Sequence, residues 1–285
     1  MILARRVTRW LILVTVVPGL VVAIVLFLVQ AWIIYLPRSA TIEELVLTLP
    51  RPGRIVPYST DSGQLHALWL PPVHGDVPRT LWLVQGGNGS LATDYASLVA
   101  ALPDPGAGYL FVDYPGYGAN PGRPDPASIL AGSRAAIAAV SATWGWTPEE
   151  RQRRVAVLGH SLGAAAVLQY AAADGARLVV LIAPFTSLAA MARRVVGWPL
   201  HLVLTHRFDN SARLAELTAR PASPPVVIIH GTADATIPYT MGQALAEAHP
   251  GQVTLVPAIG ASHNGILDSH ADLIRTWMGG STGPE

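Results

Sequence analysis

The residues best suited to carry out chemistry form the run Gly159-His160-Ser161-Leu162-Gly163. An apolar stretch at 155–158 precedes it and an alanine-rich stretch at 164–173 follows it, which predicts a strand, a sharp turn and a helix. Such a turn holds Ser161 out as a nucleophile, and the flanking glycines avoid collisions with the neighbouring strand and helix. The amide of Leu162, at the start of the helix, has no intrahelical acceptor and is predicted to donate to an oxyanion. The pattern also arises by chance in a chain with 26 glycines, so the strand and helix around it carry the interpretation.

A serine nucleophile needs a base within hydrogen-bond reach and an acid that orients the base. Asp234 follows the apolar stretch 226–229, and His263 follows the apolar stretch 253–256. The order serine, acid, histidine along the chain is typical of a nucleophile on a strand-to-helix turn. The sequence therefore predicts a catalytic triad of Ser161, Asp234 and His263. Three other carboxylates are alternatives to Asp234: Asp209, Asp268 and Asp272. Two other histidines, His160 and His230, are interpreted as structural.

A glycine-rich run at 85–89 follows the apolar stretch 81–84. Glycines at this point let the backbone approach a substrate carbonyl, so the amide of Gly87 is predicted to complete the oxyanion hole with that of Leu162. A phosphate-binding loop is excluded because no Gly-Lys-Ser/Thr follows. A glycine-rich turn without any ligand is the alternative.

Residues 10–36 contain no charged side chain and are rich in Leu, Val and Ile. As a helix they would extend roughly 40 Å, enough to cross a bilayer. Tryptophans and a tyrosine near the two ends are expected at the membrane interfaces. The positive-inside rule predicts a cytoplasmic N-terminus at 1–9 and an extracytoplasmic catalytic domain, because arginines precede the span and glutamates soon follow it. The aromatic residues are Trp10, Trp32 and Tyr35. The arginines before the span are Arg5, Arg6 and Arg9, and the glutamates after it are Glu43 and Glu44, which follow Arg38. A cleaved signal peptide is the alternative.

Composition narrows the possible partners. The net charge is +1 with 13% charged residues, and no basic run occurs outside the N-terminus, so a nucleic-acid partner is not expected. The chain has no cysteine, which excludes disulfides, thiolate metal sites and a cysteine nucleophile. We expect a small-molecule ester or lipid substrate, no metal and no cofactor, and the sequence does not identify a protein partner.

The rest of the chain predicts a domain of the α/β class. A linker at 37–53 leads to a domain at 54–278, and a flexible tail follows at 279–285. The domain begins with a hairpin of strands at 54–58 and 64–70, and short apolar strands then alternate with helices, which predicts a mainly parallel sheet covered on both faces. An insertion at 184–224 is predicted to form a small lid over the carboxyl ends of the strands, or else to pack on the domain. Five helices are expected at 95–102, 127–143, 162–173, 241–248 and 265–277, and six strands after the hairpin at 81–84, 110–113, 155–158, 178–182, 226–229 and 253–256.

Taken together, these motifs resemble the α/β-hydrolase superfamily and, within it, the membrane-anchored BEM46-like and ABHD13-like serine hydrolases. The likeness covers roughly residues 55–278. It departs from that group at Gln85, where histidine is usual, and at Gly265, where an acidic residue is common. It is carried by the loop at 85–89, Asp113-Tyr114-Pro115-Gly116-Tyr117-Gly118, Pro121-Gly122, the turn at Ser161, Pro184-Phe185-Thr186-Ser187-Leu188, Arg207-Phe208-Asp209, the Asp234 loop and His263-Asn264.

The resemblance implies hydrolysis of carboxylic esters, with lipid or acyl-thioester substrates favoured, through an acyl-enzyme intermediate and without a cofactor. It also implies a structural role for Asp113 at a strand end. A peptidase of the same fold is the enzymatic alternative. A catalytically silent scaffold that binds a lipid or a protein through the same pocket is the alternative from another class.

Overall fold

Eight strands form one sheet in the order β1-β2-β4-β3-β5-β6-β7-β8 in a computed structural model that describes residues 15–100 and 104–279. The hairpin pair β1–β2 and the pair β2–β4 are antiparallel, and every other neighbouring pair is parallel. The strands are β1 (Arg54–Thr60), β2 (Gly63–Leu70), β3 (Thr80–Gln85), β4 (Ala107–Phe111), β5 (Val155–His160), β6 (Leu178–Ile182), β7 (Val226–Gly231) and β8 (Val253–Ala258).

Helices cover both faces of this sheet, as expected for parallel strands that are apolar at successive positions. In β3, for example, Trp82 and Val84 belong to one apolar core, and Leu81 and Leu83 belong to a second core on the opposite face. This arrangement confirms the predicted mainly parallel α/β architecture. The helices are α1 (Val17–Ile34), α2 (Ile42–Leu47), α3 (Ala96–Ala100), α4 (Pro126–Ala142), α5 (Pro148–Arg154), α6 (Leu162–Asp174), α7 (Leu188–Val196), α8 (Asn210–Thr218), α9 (Tyr239–Glu247), α10 (Ile266–Ser269) and α11 (Ala271–Met278).

Several boundaries differ from the predicted ones. The strand predicted at 110–113 is β4, Ala107–Phe111, so Asp113 lies beyond its end. The helix predicted at 265–277 is divided into α10 and α11 at His270. The helix predicted at 95–102 starts as a 3₁₀ turn, Ala92–Tyr95, and continues as α3, with residues 101–102 outside the described part. The sequence analysis did not predict α5, α7 or α8.

The N-terminal helix α1 is long and apolar enough to cross a membrane by length and composition, a test that signal sequences also pass. Residues 1–14, which include the N-terminal arginines and the start of the predicted span, lie outside the described part. Trp32 is exposed, whereas Tyr35 is buried, and the interfacial positions of both stay predictions. Tyr35 is buried against the domain because its ring contacts the ring of His206.

The linker at 37–53 is held along the domain. Arg38 forms an ion pair with Asp94 at 2.5 Å, and the carbonyl of Arg38 accepts a hydrogen bond from the amide of Gly118. Helix α2 lies within the linker and begins with a capping box formed by Thr41 and Glu44. The segment between α1 and the sheet is therefore fixed by several hydrogen bonds.

The segment predicted as an insertion, 184–224, contains two kinds of structure. Helix α7 and a 3₁₀ turn, Leu200–Val203, have no buried residue and line a cavity at the carboxyl ends of the strands. Helix α8 instead buries Leu214 and Leu217 completely in the core. Only the part before α8 has the position expected of a lid.

Candidate active site

Ser161 occupies a strained turn between β5 and α6. Its backbone angles are φ 57° and ψ −117°, a region that residues with a side chain rarely adopt. The Ser161 amide donates to the carbonyl of Ile182 in the neighbouring strand at 2.9 Å. Since β5 is entirely buried and central in the sheet, the turn has little freedom to relax. The sequence pattern around Ser161 thus forms the predicted strand, sharp turn and helix.

Two glycines make this turn possible. A β-carbon on Gly159 would collide with the backbone of Gly163, and one on Gly163 would collide with the backbone of Gln85 and Gly86. The first turn of α6 therefore packs directly against the loop that follows β3. The same loop brings Gly87 next to Ser161, because a β-carbon placed on Gly87 would lie 3.5 Å from the Ser161 β-carbon.

Asp234 and His263 meet at the same edge of the sheet. Asp234 follows β7, His263 follows β8, and His263 Nδ1 lies 2.7 Å from Asp234 Oδ2. The other carboxylate oxygen of Asp234 accepts the backbone amides of Thr236 and Ile237, each at 2.8 Å. The carboxylate is thus held by a turn of its own loop while it contacts the imidazole.

The environment of Asp234 favours its ionised form. Desolvation raises the pKa of this carboxyl, but hydrogen bonds from His230, His263 and the Ile237 amide outweigh it and hold the pKa well below its usual range. His230 Nε2 lies 3.5 Å from Asp234 Oδ2 and 2.9 Å from the carbonyl oxygen of Ile237. His230 is fully buried beneath the acid, in keeping with a structural role.

A chain of hydrogen bonds through His160 and Tyr95 joins the loop that carries Gly87 to the loop that carries His263. A carbonyl only accepts, so His160 Nε2 carries the proton that is donated to the carbonyl of His263 at 3.0 Å. His160 Nδ1 is then the acceptor for the Tyr95 hydroxyl at 2.8 Å, and that hydroxyl accepts the Gly87 amide at 3.3 Å. Burial, followed by the nearby His263, lowers the pKa of His160 to about 3, which agrees with the neutral ring that this chain requires.

This bridging contact was not expected, because His160 was interpreted only as structural and Tyr95 was not singled out. The rings of His160 and His263 lie 4.8 Å apart between centroids. In this arrangement the Gly87 amide, predicted as an oxyanion donor, is directed at the Tyr95 hydroxyl. Nothing in the spacing of the sequence indicates a contact between residues 87 and 95 across a loop.

A cavity of about 540 Å³ opens at Ser161. This volume lies within the range of roughly 300–1,000 Å³ that small-molecule sites occupy. Ser161, His263 and Gly87 line it together, and most of its other walls are aliphatic. Those walls come from α1, from α7 and from the 3₁₀ turn after α7, so the N-terminal helix borders the same space as the predicted nucleophile.

The alternative acids lie elsewhere. Asp209 caps α8 by accepting the Ala212 amide, and Asp272 pairs with Arg275 on α11. Asp268 lies on α10. None of these three residues lines the cavity, whereas Asp234 contacts His263 directly. Across residues 15–100 and 104–279, no group of three or more His, Asp or Glu side chains is arranged to hold a metal ion.

Two further residues of the family likeness are buried. Asp113 accepts the Ala92 amide at 2.6 Å, which agrees with a structural role at the end of β4. The Gln85 side-chain oxygen accepts the Ser133 hydroxyl at 3.3 Å, and within the described part of the chain its amide nitrogen has no partner. This contact joins the end of β3 to α4.

Comparison with known proteins agrees with the fold. A family described as "Serine aminopeptidase, S33" matches residues 76–215, which contain β3 to α7, the first part of α8 and the Ser161 turn. The uncharacterized protein Rv2307c of Mycobacterium tuberculosis is 32% identical over 254 residues, covering 87% of this chain and 87% of the relative.

Solved structures show the same fold at low sequence identity. An esterase of Pyrococcus furiosus has a TM-score of 0.63 and 15% identity, covering 87% of this chain and 96% of that chain. A puromycin-hydrolyzing peptidase of Mycobacterium tuberculosis has a TM-score of 0.58 and 17% identity, covering 82% of this chain and 40% of that chain. Because such likenesses extend to both esterases and peptidases, they do not choose a substrate.

Proposed function

The chain belongs to the α/β-hydrolase superfamily, and from this premise we propose that it is a membrane-anchored serine hydrolase of carboxylic esters or thioesters. The observation that carries the proposal is the contact of His263 Nδ1 with Asp234 Oδ2 at 2.7 Å, beside the cavity that Ser161 also lines. The proposed nucleophile, orienting acid and base follow β5, β7 and β8 at the same edge of the sheet.

In the proposed reaction the Ser161 oxygen attacks the substrate carbonyl and His263 Nε2 takes the hydroxyl proton. Asp234 fixes the tautomer of His263 through Nδ1 and stabilises the imidazolium that forms. The amide of Leu162 donates to the oxyanion, and the amide of Gly87 joins it once it has turned away from the Tyr95 hydroxyl. The alcohol or thiol leaves with the proton, and water then releases the acid from Ser161. The low pKa of Asp234 supports this role because the carboxylate stays ionised while His263 gains and loses its proton.

The substrate that we favour carries an acyl chain. Aliphatic side chains from α1 and α7 surround the space beside Ser161, and apolar walls of this kind contribute binding free energy to acyl groups by burying them. No acidic side chain is among the described residues that line the cavity. An aminopeptidase would need such a group to pair with the ammonium of its substrate, because an unpaired buried charge is costly.

The membrane part of the proposal rests on α1. Residues from the last turns of α1 contact the domain, and Gln30 is buried there. Removal of α1 as a signal peptide would take away one wall of the cavity, so an uncleaved anchor fits the packing better. The cytoplasmic N-terminus and the extracytoplasmic catalytic domain follow from the arginines at 1–9 by the positive-inside rule. An N-terminus of the mature protein near residue 32 would contradict the anchor.

Labelling of the membrane fraction with a fluorophosphonate probe tests the proposed chemistry. We expect the wild type to be labelled and Ser161→Ala to be unlabelled. Ser90→Ala is the matched control, because Ser90 also lines the cavity but has no place in the predicted triad. Equal labelling of Ser161→Ala and the wild type, or no labelling of folded wild type, would refute the serine hydrolase and favour a silent binding scaffold.

Peptidase activity is the second candidate, supported by the family description that matches residues 76–215. Chromogenic acyl esters and chromogenic aminoacyl amides, assayed in parallel, separate the two activities. We expect kcat/KM to be higher for the esters and to increase with acyl-chain length. A preference for aminoacyl amides would replace the esterase by the peptidase.

A further inference from the structure

Helix α1 forms part of the wall of the active-site cavity. Four of its residues line the cavity, with spacings that place them on one helix face: Leu26, Gln30, Ile33 and Ile34. From Leu26 to Ile33 this wall extends about 10 Å along the helix axis, since each residue rises about 1.5 Å. The helix that is apolar enough to cross a membrane thus borders the space beside Ser161.

This wall is held in a fixed position by polar contacts. Gln30 Oε1 accepts the Thr205 amide at 2.7 Å and the Thr205 hydroxyl at 3.0 Å. Just beyond the helix, the amide of Leu36 donates to the carbonyl of Asn88 at 3.0 Å. Asn88 is the residue after Gly87, so the end of α1 is hydrogen-bonded to the predicted oxyanion loop.

A second wall comes from α7 and the 3₁₀ turn after it. Leu188, Met191 and Leu204 contribute aliphatic side chains to the lining. Outside the cavity this segment exposes Trp198 and Leu202, together with Arg193 and Arg194. Exposed apolar side chains on α1 would be in contact with hydrocarbon if α1 spans a bilayer, and the 3₁₀ turn of this segment packs against that helix.

We propose that the acyl chain of the substrate lies between α1 and α7 and enters this space from the bilayer. The inference rests on the proposed function and adds that the membrane helix is itself a substrate-binding element. The occupant is a lipid acyl chain, because the walls from α1 and from α7 are both aliphatic and α1 is itself a helix suited to hydrocarbon. The ester group of that lipid would then lie at Ser161.

The test compares palmitoyl and butyryl esters of p-nitrophenol with the full-length protein in vesicles. Leu26→Trp fills the proposed space, so we expect its palmitoyl-to-butyryl ratio of kcat/KM to fall about tenfold or more below that of the wild type. Leu26→Ala introduces no clash and only removes contacts with the chain, so we expect its ratio to fall by a smaller factor, roughly threefold. Ratios within one variant are independent of the amount of folded protein.

The matched controls are Leu20→Trp and Leu20→Ala, because Leu20 lies on the same helix, is exposed and does not line the cavity. We expect both to keep the wild-type ratio. An unchanged ratio in both Leu26 variants would overturn the acyl site on α1 while leaving the serine hydrolase intact. Hydrolysis of neither ester by wild type would overturn the proposed function, and this inference with it.

Discussion

Gln30, within the apolar helix α1, accepts two hydrogen bonds from Thr205, which follows the 3₁₀ turn beside the active-site cavity. Its side-chain oxygen also accepts the His206 amide at 3.4 Å, and its amide nitrogen donates to the carbonyl of Phe27 at 2.9 Å. A buried amide in a helix of this composition is costly unless it is paired, and Gln30 is paired on both sides. These contacts join the helix to the stretch between the 3₁₀ turn and α8.

Replacing Gln30 by leucine should weaken this junction. Gln30→Leu leaves the two donors of Thr205 without their acceptor, and each unsatisfied buried group costs about 1–3 kcal/mol. We expect the purified protein in detergent to unfold at a lower temperature and α1 to become more susceptible to proteolysis. Leu28→Ala is the control, because Leu28 is exposed on the opposite side of the same helix. A thermal midpoint equal to that of the wild type would show that α1 does not depend on this contact.

Replacing Ser161 by glycine should stabilise the protein while abolishing its activity. The backbone angles of Ser161 cost of order 1–3 kcal/mol for a residue with a β-carbon, and glycine adopts them with little strain. Ser161→Ala removes the same hydroxyl and keeps the strain, so it is the matched control. Differential scanning calorimetry should place the midpoint of Ser161→Gly above that of Ser161→Ala. The reverse order would mean that the turn is not strained.

Removing the hydroxyl of Tyr95 should impair catalysis more than binding. Tyr95→Phe breaks the chain that joins Gly87, His160 and the carbonyl of His263. We expect kcat for a short acyl ester to fall roughly tenfold with little change in KM, because two buried polar groups lose their partner and the loop carrying His263 becomes less fixed.

Tyr58→Phe is the control for this prediction. The Tyr58 hydroxyl is also buried, but within the described part of the chain it has no hydrogen-bond partner. Steady-state kinetics should show near wild-type values for Tyr58→Phe. If Tyr95→Phe behaves in the same way, the chain through His160 does not position the catalytic loops.

Asp113 should make stability fall as the pH rises. Burial raises the pKa of this carboxyl from 3.8 to about 6, although the Ala92 amide opposes the shift. Between these values the folded protein holds a proton that the unfolded chain has released, so the free energy of unfolding decreases with increasing pH. A shift of about two pKa units corresponds to roughly 3 kcal/mol at neutral pH.

Asp113→Asn removes this titration while keeping an acceptor for the Ala92 amide. Denaturant unfolding at several pH values should show the variant more stable than wild type at neutral pH, with the difference vanishing below about pH 4. Asp61→Asn, in the exposed hairpin turn, controls for the loss of one carboxylate. A stability difference that stays constant with pH would contradict the shifted pKa.

The alternation of apolar stretches was enough to predict the sheet and most of its helices, because strands buried on both faces are apolar at every position. It misplaced the start of β4, where Gly108 weakens the strand pattern. Gly108 is required there because a β-carbon would collide with the ring of Trp69. The sequence contains the glycine, but it does not indicate that Trp69, which is distant along the chain, packs against it.

In the candidate site, too, some features could be predicted from the sequence and others could not. Ser161, Asp234 and His263 were predicted because each follows an apolar strand in the order that the turn requires, and their catalytic roles stay predictions. The bond between Gln30 and Thr205 and the chain through Tyr95 and His160 were not predictable. Each joins residues that are close only after the loops and α1 have packed, and neither corresponds to a recognisable residue spacing in the sequence.

The hydrogen bond from Leu36 to Asn88 joins the end of the proposed anchor directly to the loop beside Ser161. An enzyme tethered in this way would meet its substrate by diffusion in two dimensions. The velocity would then follow the mole fraction of ester in the vesicle and not its bulk concentration. Added inert phospholipid would slow the reaction even when the total amounts of enzyme and ester stay the same.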